Sequence, residues 1–149
     1  MPDVNELYQE MIVDHSKRPR NFRVLEQPTC DAEGYNPLCG DKVKIFLRMD
    51  GDRLGDISFQ GAGCAISTAS ASLLTEILRG KTREEAERIF ETFHALVTGT
   101  GEPEPALGKL AVFSGVSKYP MRVKCATLAW HALRVALKEG HVEAQVSTE

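Results

Sequence analysis

Lys42-Val43-Lys44-Ile45-Phe46-Leu47-Arg48-Met49-Asp50-Gly51-Asp52-Arg53-Leu54 is the stretch whose reading decides the fold. Val43, Ile45, Leu47 and Met49 alternate with Lys42, Lys44 and Arg48, which is the two-residue period of a half-buried strand over 42–49. Phe46 breaks the polar face and is expected to pack beneath another element. Asp50-Gly51 is a strong hairpin signal. Residues 54–60 read as the return strand, with Ile57 and Phe59 turned inward.

Beyond the hairpin the period becomes helical. From Cys64 to Arg79, Ile66, Ala69, Ser70, Leu73, Leu74 and Ile77 fall on one face, and Thr68, Ser72, Thr75, Glu76 and Arg79 on the other. Gly80 is a natural stop. Thr82 and Glu85 form a capping-box pattern, and the helix behind them is expected to bury Ala86, Ile89, Phe90, Phe93 and Val97. Residues 99–121 carry four Gly and three Pro, so loop dominates, with a short helical piece near 106–112. A last helix spans about 122–139, with a dry stripe of Cys125, Leu128, Ala129, Ala132 and Ala136. Its wet stripe is Thr127, His131, Arg134 and Lys138. Upstream of the hairpin, Val4, Leu7, Tyr8, Met11 and Ile12 mark a helix over 3–15, capped by Asp3 with Glu6. An edge strand fits near 29–33. One helix, a small antiparallel sheet of about three strands, then helices covering one face of it: the class is α+β.

The length of 149 residues suits a single domain over 1–149, with about 141–149 as a frayed tail. No apolar run is long enough for a membrane helix, so no membrane association is expected. The acidic, polar start lacks the features of a secretory signal, so a cytoplasmic protein with reduced thiols is expected. A net charge of −3 argues against a nucleic-acid partner. The basic cluster of Lys17, Arg18, Arg20 and Arg23 reads either as a solvated helix end or as a patch for an acidic surface.

The chain has four cysteines, Cys30, Cys39, Cys64 and Cys125, and no Cys-x-x-Cys pair. A thioredoxin-type motif and paired zinc knuckles are thereby excluded. If the hairpin turns near 51–52, facing residues have numbers summing to about 103. Cys39 then lies opposite Cys64, and Asp41 lies close to Ala62 and Gly63. Side chains two apart on extended backbone point the same way, so Cys39 and Asp41 can reach one ion. Cys64 opens a helix, where unpaired amides and the helix dipole favour a thiolate. Gly61 and Gly63 leave room for a ligand or partner to approach. Cys125 is expected in the first turn of its helix, and nothing local joins it to the others. Soft sulfur donors disfavour magnesium and calcium, and leave zinc or an iron–sulfur cluster. The plain alternative is that these cysteines are small buried hydrophobes, the reading preferred for Cys30.

Four ordered motifs carry a resemblance. They are Tyr8 through Asp14-His15 with Arg18-Pro19-Arg20-Asn21; Asn36-Pro37-Leu38-Cys39-Gly40-Asp41; Gly61-Ala62-Gly63-Cys64-Ala65-Ile66-Ser67; and Lys124-Cys125-Ala126-Thr127-Leu128-Ala129-Trp130. From Leu7 to about Glu139 the chain resembles the U-type iron–sulfur cluster assembly proteins, IscU and its relative SufU, with their SufE/NifU-like architecture. The resemblance implies that Cys39, Asp41, Cys64 and Cys125 are the metal ligands. It implies zinc at rest, and cluster binding by Cys39, Cys64 and Cys125 if the protein is a scaffold for a transient iron–sulfur cluster. Its implied partners are a cysteine desulfurase and a downstream cluster carrier or apo-proteins. Lys124 stands where the IscU branch has histidine, and the stretch between Cys64 and Cys125 is longer than in that branch, both as in SufU. On that branch the expected role is a zinc-bound sulfur acceptor. A desulfurase side chain displaces one cysteine ligand, and Cys39, with Cys125 as second choice, takes the persulfide sulfur. The remaining alternative is a structural zinc module. Arg122 and Lys124 flank Cys125 and are candidates for pairing with Asp41 or with the incoming persulfide anion. His131 is placed by helical pitch too far from Cys125 to share its ligand set.

Overall fold

A computed structural model describes residues 4–37 and 40–139. The cap expected at Asp3, the expected sulfur acceptor Cys39 and the tail expected over 141–149 lie outside the described residues. The order of elements is α1 (Val4–Lys17), β1 (Cys30–Asn36), β2 (Asp41–Asp50), β3 (Arg53–Ala62), α2 (Ala65–Leu78), α3 (Arg83–Thr98), a kinked 3₁₀ segment (Pro105–Lys118) and α4 (Pro120–Glu139). The strands form one antiparallel sheet in the order β1-β2-β3. Helices α2 and α4 lie against it, α1 packs on α2, and α3 packs on the 3₁₀ segment. The α+β class with helices on one face therefore holds. The opposite face of β2 leaves Lys42 and Arg48 in water. Phe46 is buried there, opposite Ser58, with the Lys44 ammonium 5.2 Å from its ring centre.

The hairpin forms where the alternation places it, with one refinement. Near the turn, Asp50 pairs with Arg53 and Met49 with Leu54, but further along Arg48 pairs with Asp56 and Ile45 with Phe59. The extra residue is Gly55, a bulge that moves the register by one. Asp41 is carried with it toward Gly63, the residue that follows Ala62 of β3.

The polar faces expected of two helices are corrected. Ser72 and Thr75 of α2 are fully buried, because α1 and the strap after it lie over them. The Arg20 N–H donates to Ser72 Oγ at 2.8 Å, His15 Nδ1 lies 2.7 Å from the same oxygen, and Asn21 Nδ2 donates to Thr75 Oγ1 at 2.9 Å. The amphipathic reading fails there because Ser and Thr bury cheaply once bonded. On α4, Thr127 is buried too and donates to the Val123 carbonyl at 2.9 Å. The basic cluster is partly spent internally, with Arg20 on Asp14 at 2.7 Å and Arg23 on Asp56 at 3.1 Å.

The capping box at α3 is present in full. Thr82 Oγ1 accepts from the Glu85 N–H at 3.1 Å, and Glu85 Oε1 accepts from the Thr82 N–H at 3.1 Å. Thr82→Ala is expected to cost about 1 kcal/mol in urea unfolding, the usual worth of such a cap. No loss would mean that α3 is held by its buried face alone.

Candidate metal centre

Three elements converge at the open end of the hairpin. Asp41 begins β2, Cys64 precedes α2 and Cys125 comes from α4. One ligand atom from each of these residues lies within 4.8 Å of the other two. Tetrahedral zinc–sulfur geometry needs ligand atoms about 3.8 Å apart, so small side-chain adjustments close the set. Among the described residues this is the only such group of three. Asp41 is 2% exposed and Cys125 4% exposed. A buried carboxylate beside buried sulfurs is costly unless a cation or donors compensate it. The donor set suits a borderline-soft divalent ion such as zinc, and no hard cation.

Local chemistry explains each placement. Cys64 is the N-cap of α2, with extended backbone (φ −69°, ψ 169°), and its sulfur accepts from the Ser67 N–H at 3.4 Å. Asp41 Oδ1 accepts from the Cys64 N–H at 2.8 Å, and Asp41 Oδ2 lies 3.5 Å from Cys64 Sγ. The glycines have a tighter reason than room for a visitor. A Cβ on Gly61 would strike the Lys42 carbonyl, and one on Gly63 would meet Ser67 Oγ at 2.5 Å and Asp41 Oδ1 at 3.1 Å. Gly61 lets β3 press on the Lys42–Val43 backbone, and Gly63 lets the start of α2 press against Asp41. Ser67 is a contributor that the sequence reading passed over. Its position three residues after a helix-opening Cys64 is the capping spacing that could have found it.

The thiols share a proton unequally. The Cys125 thiol donates to the Cys64 sulfur, and with the Ser67 amide this pulls Cys64 down to about 6, against burial and the Asp41 charge. The same bond pushes Cys125 up, with burial and Asp41 adding to it. Without metal, Cys64 is the thiolate and Cys125 keeps its proton. Thiol alkylation of Cys64 in metal-free protein, followed by peptide mapping, should rise through pH 5–7 with a midpoint near 6. A midpoint above 8 would show that the thiolate is not held this way. Cys125 lies in the second turn of α4, not the first as expected, because the helix starts at Pro120. Its ionisation is therefore governed by Cys64 and Asp41 rather than by a helix end.

Arg122 and Lys124 part company. The Arg122 guanidinium lies over the Tyr119 ring at 4.3 Å, beside Tyr8. Lys124 lines a separate cleft with His94, Thr98, Ser117 and His131, whose walls include none of the three site residues. His131 stays out of the site, with its ring 5.2 Å from Phe90 and 6.0 Å from His94. Burial pushes it down to about 4.

The fold and this group of residues define a class: a small α+β domain that gathers two cysteines and an aspartate, able to hold a metal ion, at one end of a three-stranded sheet. The chain matches the NifU-like N-terminal domain family over residues 7–126 and belongs to it. It is 41% identical over 136 residues to an iron–sulfur cluster assembly scaffold protein IscU of Streptococcus pyogenes serotype M1, covering 91% of this chain and 85% of that one. It is 40% identical over 141 residues to the zinc-dependent sulfurtransferase SufU of Bacillus subtilis, covering 93% and 95%. A solved structure from Fervidobacterium islandicum AW-1, assigned as an iron–sulfur cluster assembly scaffold of the SUF system, superposes with a TM-score of 0.84. It is 38% identical, with 89% and 98% of the two chains covered. A NifU-like N-terminal domain from Brucella abortus shares the fold, with a TM-score of 0.82 at 21% identity. No helix among the described residues is long and apolar enough to cross a membrane.

Proposed function

We propose that this chain is a zinc-bound sulfur acceptor in iron–sulfur cluster assembly, taking persulfide sulfur from a cysteine desulfurase. The observation that carries the reading is the convergence of Asp41, Cys64 and Cys125 from three separate elements within 4.8 Å. With Cys39 as the fourth ligand, and the sulfur acceptor, the set holds one zinc ion. Zinc there supplies positive charge that keeps bound sulfurs deprotonated near neutral pH. The chain's own residues do the rest. Asp41 ties the Cys64 amide, Ser67 orients the Cys64 sulfur, and the Cys125 thiol donates a hydrogen bond to that sulfur when the metal is away. A thiolate then attacks the outer sulfur of the desulfurase persulfide. The whole chain acts as one assembly domain in the cytoplasm, and passes sulfur or cluster to a carrier or to apo-proteins.

The test is alanine formation from cysteine by the cognate desulfurase, with and without this protein. Acceleration by wild type and none by Cys39→Ala is expected. Acceleration by both, or by neither, overturns the acceptor role. The second reading is a scaffold that builds and hands on a labile cluster. Its support is the relative at 41% identity that is named a scaffold, nearly equal to the sulfurtransferase at 40%. It requires that anaerobic iron and sulfide give a cluster transferable to an apo-ferredoxin.

A further inference from the structure

Beside Arg122, three residues before Cys125 on α4, lies a cavity of about 270 Å³, lined by Tyr8, Gln9, Val112, Gly115, Tyr119 and Arg122 among others. Its walls hold two hydrogen-bond donors, the Tyr8 hydroxyl and the Arg122 guanidinium. The Tyr8 hydroxyl is shielded from solvent, and its proton finds no acceptor among the described residues. Arg122 is stacked on Tyr119 and has no carboxylate partner among the described residues. The two stand side by side: burial raises the Tyr8 hydroxyl above its ordinary value, and Arg122 opposes that rise. The Cys64 and Cys125 sulfurs are near enough for their charge to raise it further. A shielded hydroxyl and a guanidinium with no carboxylate partner on one concave wall are complementary to a carboxylate. Arg122 also precedes Cys125 by three residues in α4, so their Cβ atoms are about 5–6 Å apart. A carboxylate held by Arg122 therefore leaves the remainder of a small molecule within reach of the sulfurs.

We propose that this cavity binds a low-molecular-weight thiol carrying a carboxylate, of the size of free cysteine, as a direct recipient of the sulfur. The inference rests on the sulfur-acceptor reading above. In the step, the thiolate of the small molecule attacks the outer sulfur of the protein persulfide. The bond between the protein Sγ and that sulfur breaks, and a new S–S bond forms on the small molecule. The protein thiolate is the leaving group. The incoming thiol has lost its proton to solvent, and the product is the small-molecule persulfide with no net oxidation.

Gly115 provides a test residue. A Cβ added there meets nothing within 4 Å, so Gly115→Leu can fill the cavity without backbone strain. Zinc-bound protein is treated with desulfurase and cysteine, freed of both, and mixed with L-cysteine or with cysteamine, which lacks the carboxylate. Intact mass reports the persulfide remaining. Transfer to L-cysteine should saturate with concentration and run at least about tenfold faster than to cysteamine, the factor expected of one charge-assisted hydrogen bond. Gly115→Leu should acquire persulfide normally and lose that preference. Equal, unsaturable rates for both thiols, or a preference unchanged in Gly115→Leu, overturn the proposal. Separately, calorimetry should detect one S-methyl-L-cysteine per zinc-bound wild-type chain and none for Gly115→Leu. Absence of binding to wild type up to about 10 mM, a Kd range weaker than about −3 kcal/mol, also overturns it. Failure to acquire persulfide at all, with S-methyl-L-cysteine still bound, strikes the acceptor reading and leaves the cavity assignment standing.

Discussion

Asp41→Ala should strip the zinc while leaving a folded protein. Asp41 offers one of four ligands to the proposed ion. Dividing the free energy of a structural zinc site, about 10–16 kcal/mol, among four ligands assigns roughly 3 kcal/mol to each. Affinity in a chelator competition should therefore fall by more than about a hundredfold. The metal-free fold loses much less. Asp41 accepts the Cys64 N–H at 2.8 Å, and that bond goes, at about 1–2 kcal/mol. In partial compensation, a buried carboxylate beside the Cys64 sulfur goes with it. The Tm of the metal-free variant should then change by less than about 6 °C, and circular dichroism should be unchanged. Global unfolding of the variant, with metal affinity intact in whatever remains folded, would show that Asp41 is a structural cap rather than a ligand.

The second large effect lies in the core. Trp130 is fully buried, with its ring centre 5.0 Å from Phe93 and 6.0 Å from Phe90. Its indole N–H donates to Ser70 Oγ at 3.0 Å, and the Ser70 hydroxyl in turn donates to the Ala126 carbonyl. This chain of bonds ties α2 to α4, and so ties Cys64 to Cys125. Trp130→Ala should cost about 3–5 kcal/mol through the cavity it leaves, roughly 6–20 °C in Tm for a chain of this length. Trp130→Phe retains most of the packing and removes only the donor, so about 1 kcal/mol is expected. Chemical unfolding of the metal-free proteins measures both. If the alanine variant lost no more than the phenylalanine one, the aromatic cluster would not be what holds the two helices together.

How much of this was legible in the residues differs from element to element. The alternation over 42–49 and the Asp50-Gly51 turn placed β2 and β3 almost to the residue, because strand register and turn chemistry are local. The capping box at Thr82 and the N-cap position of Cys64 are local for the same reason. The bulge at Gly55 was not visible, since a glycine inside a strand does not say which partner residue it skips. The burial of Ser72, Thr75 and Thr127 was misread because it depends on what packs over them: α1 and its strap in the first two cases.

For the candidate site, the division falls between the hairpin and the last helix. The sequence by itself determined that Asp41 stands near Cys64, since one hairpin brings both to its open end. It also determined that Cys64 opens a helix, where a thiolate is favoured. Only the tertiary structure decided that Cys125 joins them, by laying α4 across the sheet and bonding it to α2 through Trp130 and Ser70. It alone decided that the Cys64–Cys125 pair keeps its proton on Cys125, and that Arg122 and Lys124, two residues apart, serve different clefts. Those outcomes depend on the distance and burial of groups far apart along the chain, and no periodicity records either quantity.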